Sequence, residues 1–185
     1  MSRIDRVFTE RRHKALIAYV TCGFPDPEAT LEIVPKLVAD GCDIIELGIP
    51  FSDPLADGVT IQRAGEEALR QGINPRLCLE LARELRHRVT TPLIFMTYYN
   101  PIFRFGPEAF CFECAVAGVD GLIVPDLPPD EGMELERFAG KYGLDLIYLL
   151  APTSTEERIE LVAERSRGFI YLVSLTGVTG ARDVL

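Results

Sequence analysis

The sequence has no long apolar run, and none approaches the roughly 18 residues that a membrane-spanning helix needs. Residues 1–14 are charged and lack the apolar core of a secretory signal. The net charge is -9, and no cluster of Lys and Arg outnumbers its acidic neighbours, which argues against binding to nucleic acid. These absences predict a cytoplasmic protein with neither a membrane nor a nucleic-acid partner.

Cysteine and histidine are too few and too scattered for a disulfide framework or a typical metal site. The five cysteines are an odd number, which favours reduced thiols. Cys111 and Cys114 have the C-x-x-C spacing of redox and zinc sites, but no second pair follows. The two histidines, His13 and His87, lie far away in the sequence. We therefore predict that Cys111 and Cys114 are small, buried apolar side chains on one face of a helix. We expect no metal site.

The sequence does contain a regular alternation of short apolar runs and helical patterns. Six runs rich in β-branched residues predict buried strands at 16–20, 43–47, 93–97, 121–124, 145–149 and 169–173. Helix-start signals lie between them, namely Asp26-Pro27, Asn74-Pro75, Gly106-Pro107 and a capping box at Ser154 and Glu157. Strands that alternate with helices in this way imply a parallel sheet.

The predicted fold class is α/β, with the architecture of a (β/α)₈ TIM barrel. Functional groups of such barrels lie on loops at the carboxyl ends of the strands. Only about six βα units fit into 185 residues, whereas a full barrel takes around 250. We therefore expect residues 1–185 to form a single, incomplete barrel domain, a fragment with an N-terminal helix over residues 2–14 that plugs the lower end. A doubly wound open sheet is the alternative fold.

The second predicted strand begins with Asp43 and carries a further acidic residue, Glu46, near its carboxyl end. Side chains alternate along a strand, so Glu46 shares a face with Ile44. A carboxylate buried among apolar neighbours has a raised pKa, which suits proton transfer. The alternative is a structural glutamate that is paired with an arginine or faces solvent at the strand end.

Two more carboxylates, Asp53 and Asp57, follow in the loop after this strand. Two prolines stiffen the loop, and its glycines Gly48 and Gly58 permit unusual dihedral angles, so the carboxylates should be held still. Acids in different environments can take separate roles when their pKa values diverge. The residues alone thus predict a barrel enzyme with a carboxylate pair, formed by Asp57 and Glu46.

The same strand and loop resemble those of the tryptophan synthase α subunit family. The resemblance rests mainly on residues 46–58 (ELGIPFSDPLADG), and it extends through residues 18–21 (AYVT), 96–101 (MTYYNP), 124–126 (VPD) and 177–180 (GVTG). It implies a lyase of L-tryptophan biosynthesis that cleaves indole-3-glycerol phosphate to indole and glyceraldehyde 3-phosphate. It also implies that this retro-aldol reaction needs no metal or organic cofactor in this subunit.

The resemblance implies roles for the matched acidic and aromatic residues. Glu46 corresponds to the general acid–base residue that protonates indole C3 and can also take the hydroxyl proton. Asp57 corresponds to the carboxylate that hydrogen-bonds the indole N–H and opposes the developing positive charge. Tyr19 and Tyr98 correspond to positions beside the indole, and Tyr171 to a tyrosine near the reacting carbon. Taken alone, each tyrosine also fits core packing.

Two further substrate-binding residues, Thr179 and Gly180, belong to the glycine-bearing lid at 177–180. Glycines allow such a lid to close, and backbone N–H groups there can approach a phosphate. Gly180 is the phosphate contact that carries over from the family pattern. Asp53 is assigned a role in bracing its own loop.

The resemblance also implies a partner, a pyridoxal phosphate-dependent β subunit, in an α₂β₂ heterotetramer. Contacts with this subunit are expected on the loops at 99–106 and 128–131. One alternative is a stand-alone lyase that releases free indole. Another is a truncated, non-catalytic chain that survives as a binding partner of the β subunit.

Three positions do not fit these patterns. Val59 stands where the family often has proline, and we expect a looser loop there. Leu175 stands where a basic residue is frequent, and we expect weaker docking of the lid. Pro35 falls inside the helix that begins after Asp26, where its ring removes a backbone hydrogen bond, and the sequence offers no function for it.

Overall fold

The computed structural model describes residues 1–10 and 13–173. Within these ranges, five parallel strands form one sheet in chain order: β1 (Ile17–Thr21), β2 (Ile44–Gly48), β3 (Leu93–Met96), β4 (Gly121–Ile123) and β5 (Asp145–Ile147). A sequential order without reversal is that of barrel βα units and contradicts the doubly wound alternative. The predicted α/β barrel architecture is therefore confirmed.

The fifth predicted strand is interrupted at Tyr148. Beyond it, β6 (Leu149–Leu150) pairs in parallel with β7 (Tyr171–Leu172). The backbone N–H of Tyr148 donates to the hydroxyl of Ser166 (3.1 Å). This N–H is therefore not used for pairing with a neighbouring strand. The Tyr148 carbonyl accepts from the N–H of Tyr171 (3.0 Å), so a backbone hydrogen bond joins the break to β7, although β6 and β7 form a separate two-stranded sheet.

The helices occupy the predicted positions between the strands. In the described residues they are α1 (Arg3–Glu10), α2 (Pro27–Ala39), α3 (Val59–Arg70), α4 (Pro75–Arg86), α5 (Tyr99–Phe105), α6 (Pro107–Ala117), α7 (Met133–Lys141) and α8 (Glu156–Arg165), with a 3-10 turn at Pro129–Glu131. Asp26 and Asn74 cap α2 and α4 through their side chains, as predicted. No helix in this part of the chain is both long and apolar enough to cross a bilayer.

The predicted capping box at the start of α8 is wrong. Thr155, and not Ser154, is the cap, and its hydroxyl accepts from the backbone N–H of Arg158 (3.3 Å). The hydroxyl of Ser154 instead accepts from the N–H of Ala151 (3.0 Å). Two adjacent hydroxyl residues both fit a cap, and the turn from Ala151 decides between them.

Pro35 is accommodated within α2 by a partner from another helix end. A proline at this position leaves the carbonyl of Leu31, four residues earlier, without its helical donor. Nη1 of Arg88, which follows α4, donates to that carbonyl at 3.0 Å. Pro35 therefore creates a point of attachment between α2 and the end of α4.

The two faces of the sheet carry separate apolar clusters, because strand side chains alternate. The outer cluster joins strand residues such as Leu47 and Phe95 to helices that include α2, α4, α6, α7 and α8. The inner cluster contains Ile44, Ile94, Ile123 and Ile147, together with Ile4 and Val7 of α1. The helical layer thus lies on one face, and the other face is free to form a site above the inner cluster.

Helix α1 closes the amino-terminal end of the strands, as predicted, although it ends at Glu10. Ile4 is fully buried against the inner cluster. Nη1 of Arg3 donates to Oδ1 of Asp120, just before β4, at 2.7 Å. Oδ2 of Asp120 also accepts from Nη2 of Arg86 (2.8 Å) and from the backbone N–H of Leu93 (2.9 Å). One buried carboxylate therefore links α1, α4 and two strands.

The cysteines are structural, in agreement with the sequence analysis. All five are free and buried. Burial raises the pKa of the Cys111 thiol to about 12, and it raises the pKa of Cys114 as well. Thiols held in the neutral form are poor nucleophiles and poor ligands. In the described ranges, no group of three or more His, Cys, Asp or Glu residues is placed to hold a metal ion.

Candidate active site

Glu46 lies on the inner face of the sheet, opposite Tyr19 of β1 and Ile94 of β3. Only 4% of the residue is exposed. Burial raises the pKa of Glu46 to about 7, because loss of water disfavours the ionised form. Among the described residues it has no arginine or lysine partner, so neither structural alternative for Glu46 holds there. A carboxyl group with this pKa can both give and take a proton near neutral pH.

A cavity of about 370 Å³ is lined by Glu46, Tyr19 and Tyr171, with Phe8 and Phe169 along its wall. Burial, and then the charge of Glu46, raise the pKa of Tyr171. Burial also raises the pKa of Tyr19, and the charges of Asp57 and Glu46 add to this effect. The structure therefore brings two predicted tyrosines and the predicted acid–base residue to one cavity.

Gly48 is the residue that lets the ring of Tyr19 lie against β2. A Cβ atom on Gly48 would lie 2.0 Å from the Tyr19 hydroxyl oxygen and 2.4 Å from Cζ. The glycine was expected to allow unusual dihedral angles, but neither Gly48 nor Gly58 has a positive φ. A glycine is needed at position 48 because it leaves room for Tyr19, and any side chain here would displace the Tyr19 ring.

Asp57 lies half-buried in the loop between β2 and α3. Burial raises its pKa, and a hydrogen bond from the side chain of Tyr98 lowers it. The Tyr98 hydroxyl also accepts from the backbone N–H of Ala56 at 2.8 Å. Tyr98 itself is only 6% exposed, and its ring packs on Phe51 with centroids 5.4 Å apart. Tyr98 is therefore next to Asp57, and burial raises its own pKa to about 12.

Tyr19 lies near both carboxylates. Its hydroxyl lies close enough to Glu46 and to Asp57 for both charges to affect its pKa. The side chain of Thr21 contributes a hydrogen bond to the same hydroxyl. One aromatic side chain is therefore near both the acid in the barrel interior and the carboxylate on the loop.

The remaining loop carboxylate, Asp53, is exposed. Its Oδ2 accepts from the hydroxyl of Ser52 (2.5 Å), and its carbonyl accepts from the N–H of Leu55 (3.0 Å). Both bonds stay within the loop, which supports the expected bracing role.

Sequence reasoning missed Gln62, which lies in the first turn of α3. Its Nε2 donates to the carbonyl oxygens of Asp57 (3.0 Å) and Pro54 (3.4 Å). The only signal was a polar residue soon after the loop, which is common at helix starts. Val59 begins α3 with its side chain exposed, a position that suits proline because the first helical N–H is not used within the helix.

Three of the predicted residues, Thr179, Gly180 and Leu175, lie outside the described residues, as does the rest of the lid at 177–180. The site that the structure describes therefore consists of the barrel interior at Glu46 and the loop that carries Asp57.

Comparison with known proteins points to one family. Residues 7–185 match the family model for the tryptophan synthase alpha chain. The tryptophan synthase alpha chain of Dehalococcoides mccartyi is 59% identical over 181 residues, which are 98% of this chain and 70% of that protein. The one from Methanosarcina barkeri is 53% identical over 184 residues, or 98% of this chain and 69% of that protein.

Solved structures agree with this result. Mycobacterium tuberculosis tryptophan synthase superposes with a TM-score of 0.93 at 45% identity, covering 98% of this chain and 72% of the matched chain. Tryptophan synthase subunit alpha from Legionella pneumophila gives 0.90 at 43% identity, covering 94% and 68%. The chain thus spans about 70% of the length of such relatives.

Proposed function

Because the chain belongs to the tryptophan synthase alpha chain family, and so to a lyase subunit of tryptophan biosynthesis, we propose that it cleaves indole-3-glycerol phosphate to indole and glyceraldehyde 3-phosphate. The observation that carries the proposal is Glu46. It is a buried carboxyl group with a pKa of about 7, it faces a cavity, and burial is the cause of its shift. A single group of this kind can serve both proton transfers of a retro-aldol cleavage.

In the proposed reaction, Glu46 first gives its proton to C3 of the indole ring. The ring becomes a cationic indolenine, and the nearby Asp57 carboxylate opposes this charge through a hydrogen bond to the indole N–H. Glu46 then takes the proton of the side-chain hydroxyl. The bond between C3 and the side chain breaks, its electron pair returns to the ring to give indole, and the hydroxyl-bearing carbon becomes the aldehyde.

The aromatic residues are proposed to bind the indole portion of the substrate. Tyr19 and Tyr98 are assigned positions beside the ring, and Tyr171 a position near the reacting carbon. Their support is that all three are near one of the two carboxylates. Thr179 and Gly180 remain a proposal from the sequence pattern, as lid and phosphate contact.

Family membership implies a β-subunit partner. We further propose an α₂β₂ heterotetramer in which the β subunit holds pyridoxal phosphate and this subunit holds no cofactor. The proposed contact regions are residues 99–106, which form α5 and its C-cap and not the expected loop, and residues 128–131, which include the 3-10 turn. Exposed apolar surface supports the first of these regions, since Phe103 on α5 is 65% exposed. We also propose that residues 1–185 act as one barrel domain in the cytoplasm.

Indole release from indole-3-glycerol phosphate by the full-length protein tests the reaction. We expect Glu46→Gln and Asp57→Asn each to lower the rate by about 10² to 10⁴, because each removes a charge or proton that only the transition state needs. Glu113→Gln is the matched control, since Glu113 lies on α6 and pairs with Arg83 at 3.7 Å. Unchanged rates in both site variants would overturn the proposal.

A further inference from the structure

The loop segment that carries Asp57 is held by side chains from two helices. From α3, Nε2 of Gln62 donates to the carbonyl oxygen of Asp57 at 3.0 Å and to that of Pro54 at 3.4 Å. From the start of α5, the Tyr98 hydroxyl accepts from the N–H of Ala56 at 2.8 Å. The carbonyl of Asp57 is therefore bonded to α3, and the N–H of the preceding residue, Ala56, is bonded to Tyr98.

The segment needs these bonds because its internal hydrogen bond closes a turn but does not attach that turn to the rest of the protein. The N–H of Asp57 donates to the carbonyl of Pro54 (3.1 Å), which closes a turn. Leu55 at the tip of this turn is 87% exposed, so apolar burial does not hold it. The bonds to Gln62 and Tyr98 join this exposed turn to the barrel.

Tyr98 is itself well anchored. Its ring is buried and packs against Phe51. The backbone N–H of the next residue, Tyr99, donates to Oδ1 of Asp126 in the loop after β4 at 2.8 Å. The hydroxyl that reaches the loop is therefore fixed by contacts on two sides.

We propose that Gln62 and Tyr98 form a clamp that positions the Asp57 carboxylate for the reaction. The role rests on the proposed function, and both are positioning residues for Asp57, whatever further contact Tyr98 makes with the indole. Gln62 holds the carbonyl group of Asp57, and Tyr98 holds the N–H of Ala56 and hydrogen-bonds the Asp57 carboxylate. A misplaced catalytic group can cost about 10²-fold in rate even when every catalytic group is present.

The clamp also affects the ionisation of Asp57. Among the described residues, the titratable groups that face Asp57 are Tyr98 at the start of α5 and Tyr19 on β1. Burial raises the pKa of Asp57, and the bond from Tyr98 opposes that rise. Loss of the Tyr98 hydroxyl should raise the pKa of Asp57 further. Activity that needs the Asp57 carboxylate would then fall off at a higher pH on the acid side.

Steady-state kinetics and hydrogen–deuterium exchange on the full-length protein test the clamp with the variants Gln62→Met and Tyr98→Phe. We expect Q62M to lower kcat by about 10-fold with little change in KM, and Y98F to move the acid limb of the rate profile to higher pH. Both should speed exchange at residues 55–58. Gln71→Met at the end of α3 and Tyr142→Phe after α7 are matched controls, and we expect no change from either.

The results separate the clamp from the reaction. The clamp would be overturned if exchange at residues 55–58 matched the wild type in both variants, kcat were unchanged in Q62M and the acid limb were unmoved in Y98F. This holds even if the wild type releases indole. A wild-type protein that releases no indole would overturn the proposed function, and the exchange rates of the variants would still support or overturn the clamp. Unchanged melting temperatures in both variants ensure that loss of folding is not the cause.

Discussion

The buried carboxyl group of Glu46 makes the free energy of unfolding depend on pH. Its pKa is about 7 in the folded protein, compared with 4.5 for an exposed glutamate. Between these values the unfolded chain has released a proton that the folded protein retains, so raising the pH lowers the free energy of unfolding. One pKa unit corresponds to about 1.4 kcal/mol, so the total loss is about 3 kcal/mol and is complete above pH 7.

A glutamine at position 46 keeps the shape of the protonated glutamate and cannot ionise. We expect Glu46→Gln to match the wild type in stability near pH 4.5 and to exceed it by about 3 kcal/mol at pH 8. Urea unfolding of both proteins across this range measures the difference, and the ionisable groups common to both cancel. A difference that stays constant with pH would refute the reasoning. Glu113→Gln on the surface of α6 controls for the chemical change itself.

Two other predictions concern stability. Arg88→Met should lower the free energy of unfolding by about 1 kcal/mol, because it leaves the Leu31 carbonyl without a donor. The loss should be smaller in a Pro35→Ala background, because the alanine N–H can donate to the same carbonyl. Equal costs in both backgrounds, measured by urea unfolding, would contradict that account of the proline. Asp120→Ala should lower the free energy of unfolding by about 3 to 5 kcal/mol, because it removes the ion-pair partner of the mostly buried Arg86. Arg3→Met removes the more exposed partner of Asp120 and should cost less than about 1 kcal/mol. Thermal melts compare the two, and similar losses would refute the distinction.

The strands and most helix starts could be predicted because their signals are local. A run of β-branched residues needs burial wherever it occurs, and Asp26 and Asn74 cap helices through bonds to the next two or three residues. The start of α8 could not be predicted with the same certainty. Ser154 and Thr155 offer the same chemistry, and the contact with Ala151 that decides between them depends on the path of the chain after β6.

The site was only partly accessible from sequence for a similar reason. A carboxylate in an apolar strand predicts a raised pKa unless a cation pairs with it, and the pKa of Glu46 is raised. The neighbours that shape the site come from distant positions, such as Tyr98 against Ala56, and no local pattern marks them. Gly48 shows the limit clearly, because its role depends on a ring that crosses from another strand.

The first helix of the chain has a consequence for the order of folding. Ile4 is fully buried in an apolar cluster to which β2, β3, β4 and β5 each contribute an isoleucine, so α1 gains this cluster in full only when the four strands lie side by side. The bond from Arg3 to Asp120 closes a loop of 117 residues, and long loops carry the larger entropic cost. We therefore expect α1 to dock late in folding, after these strands have assembled. On this expectation, protection of the α1 backbone during refolding would report that the strands had assembled.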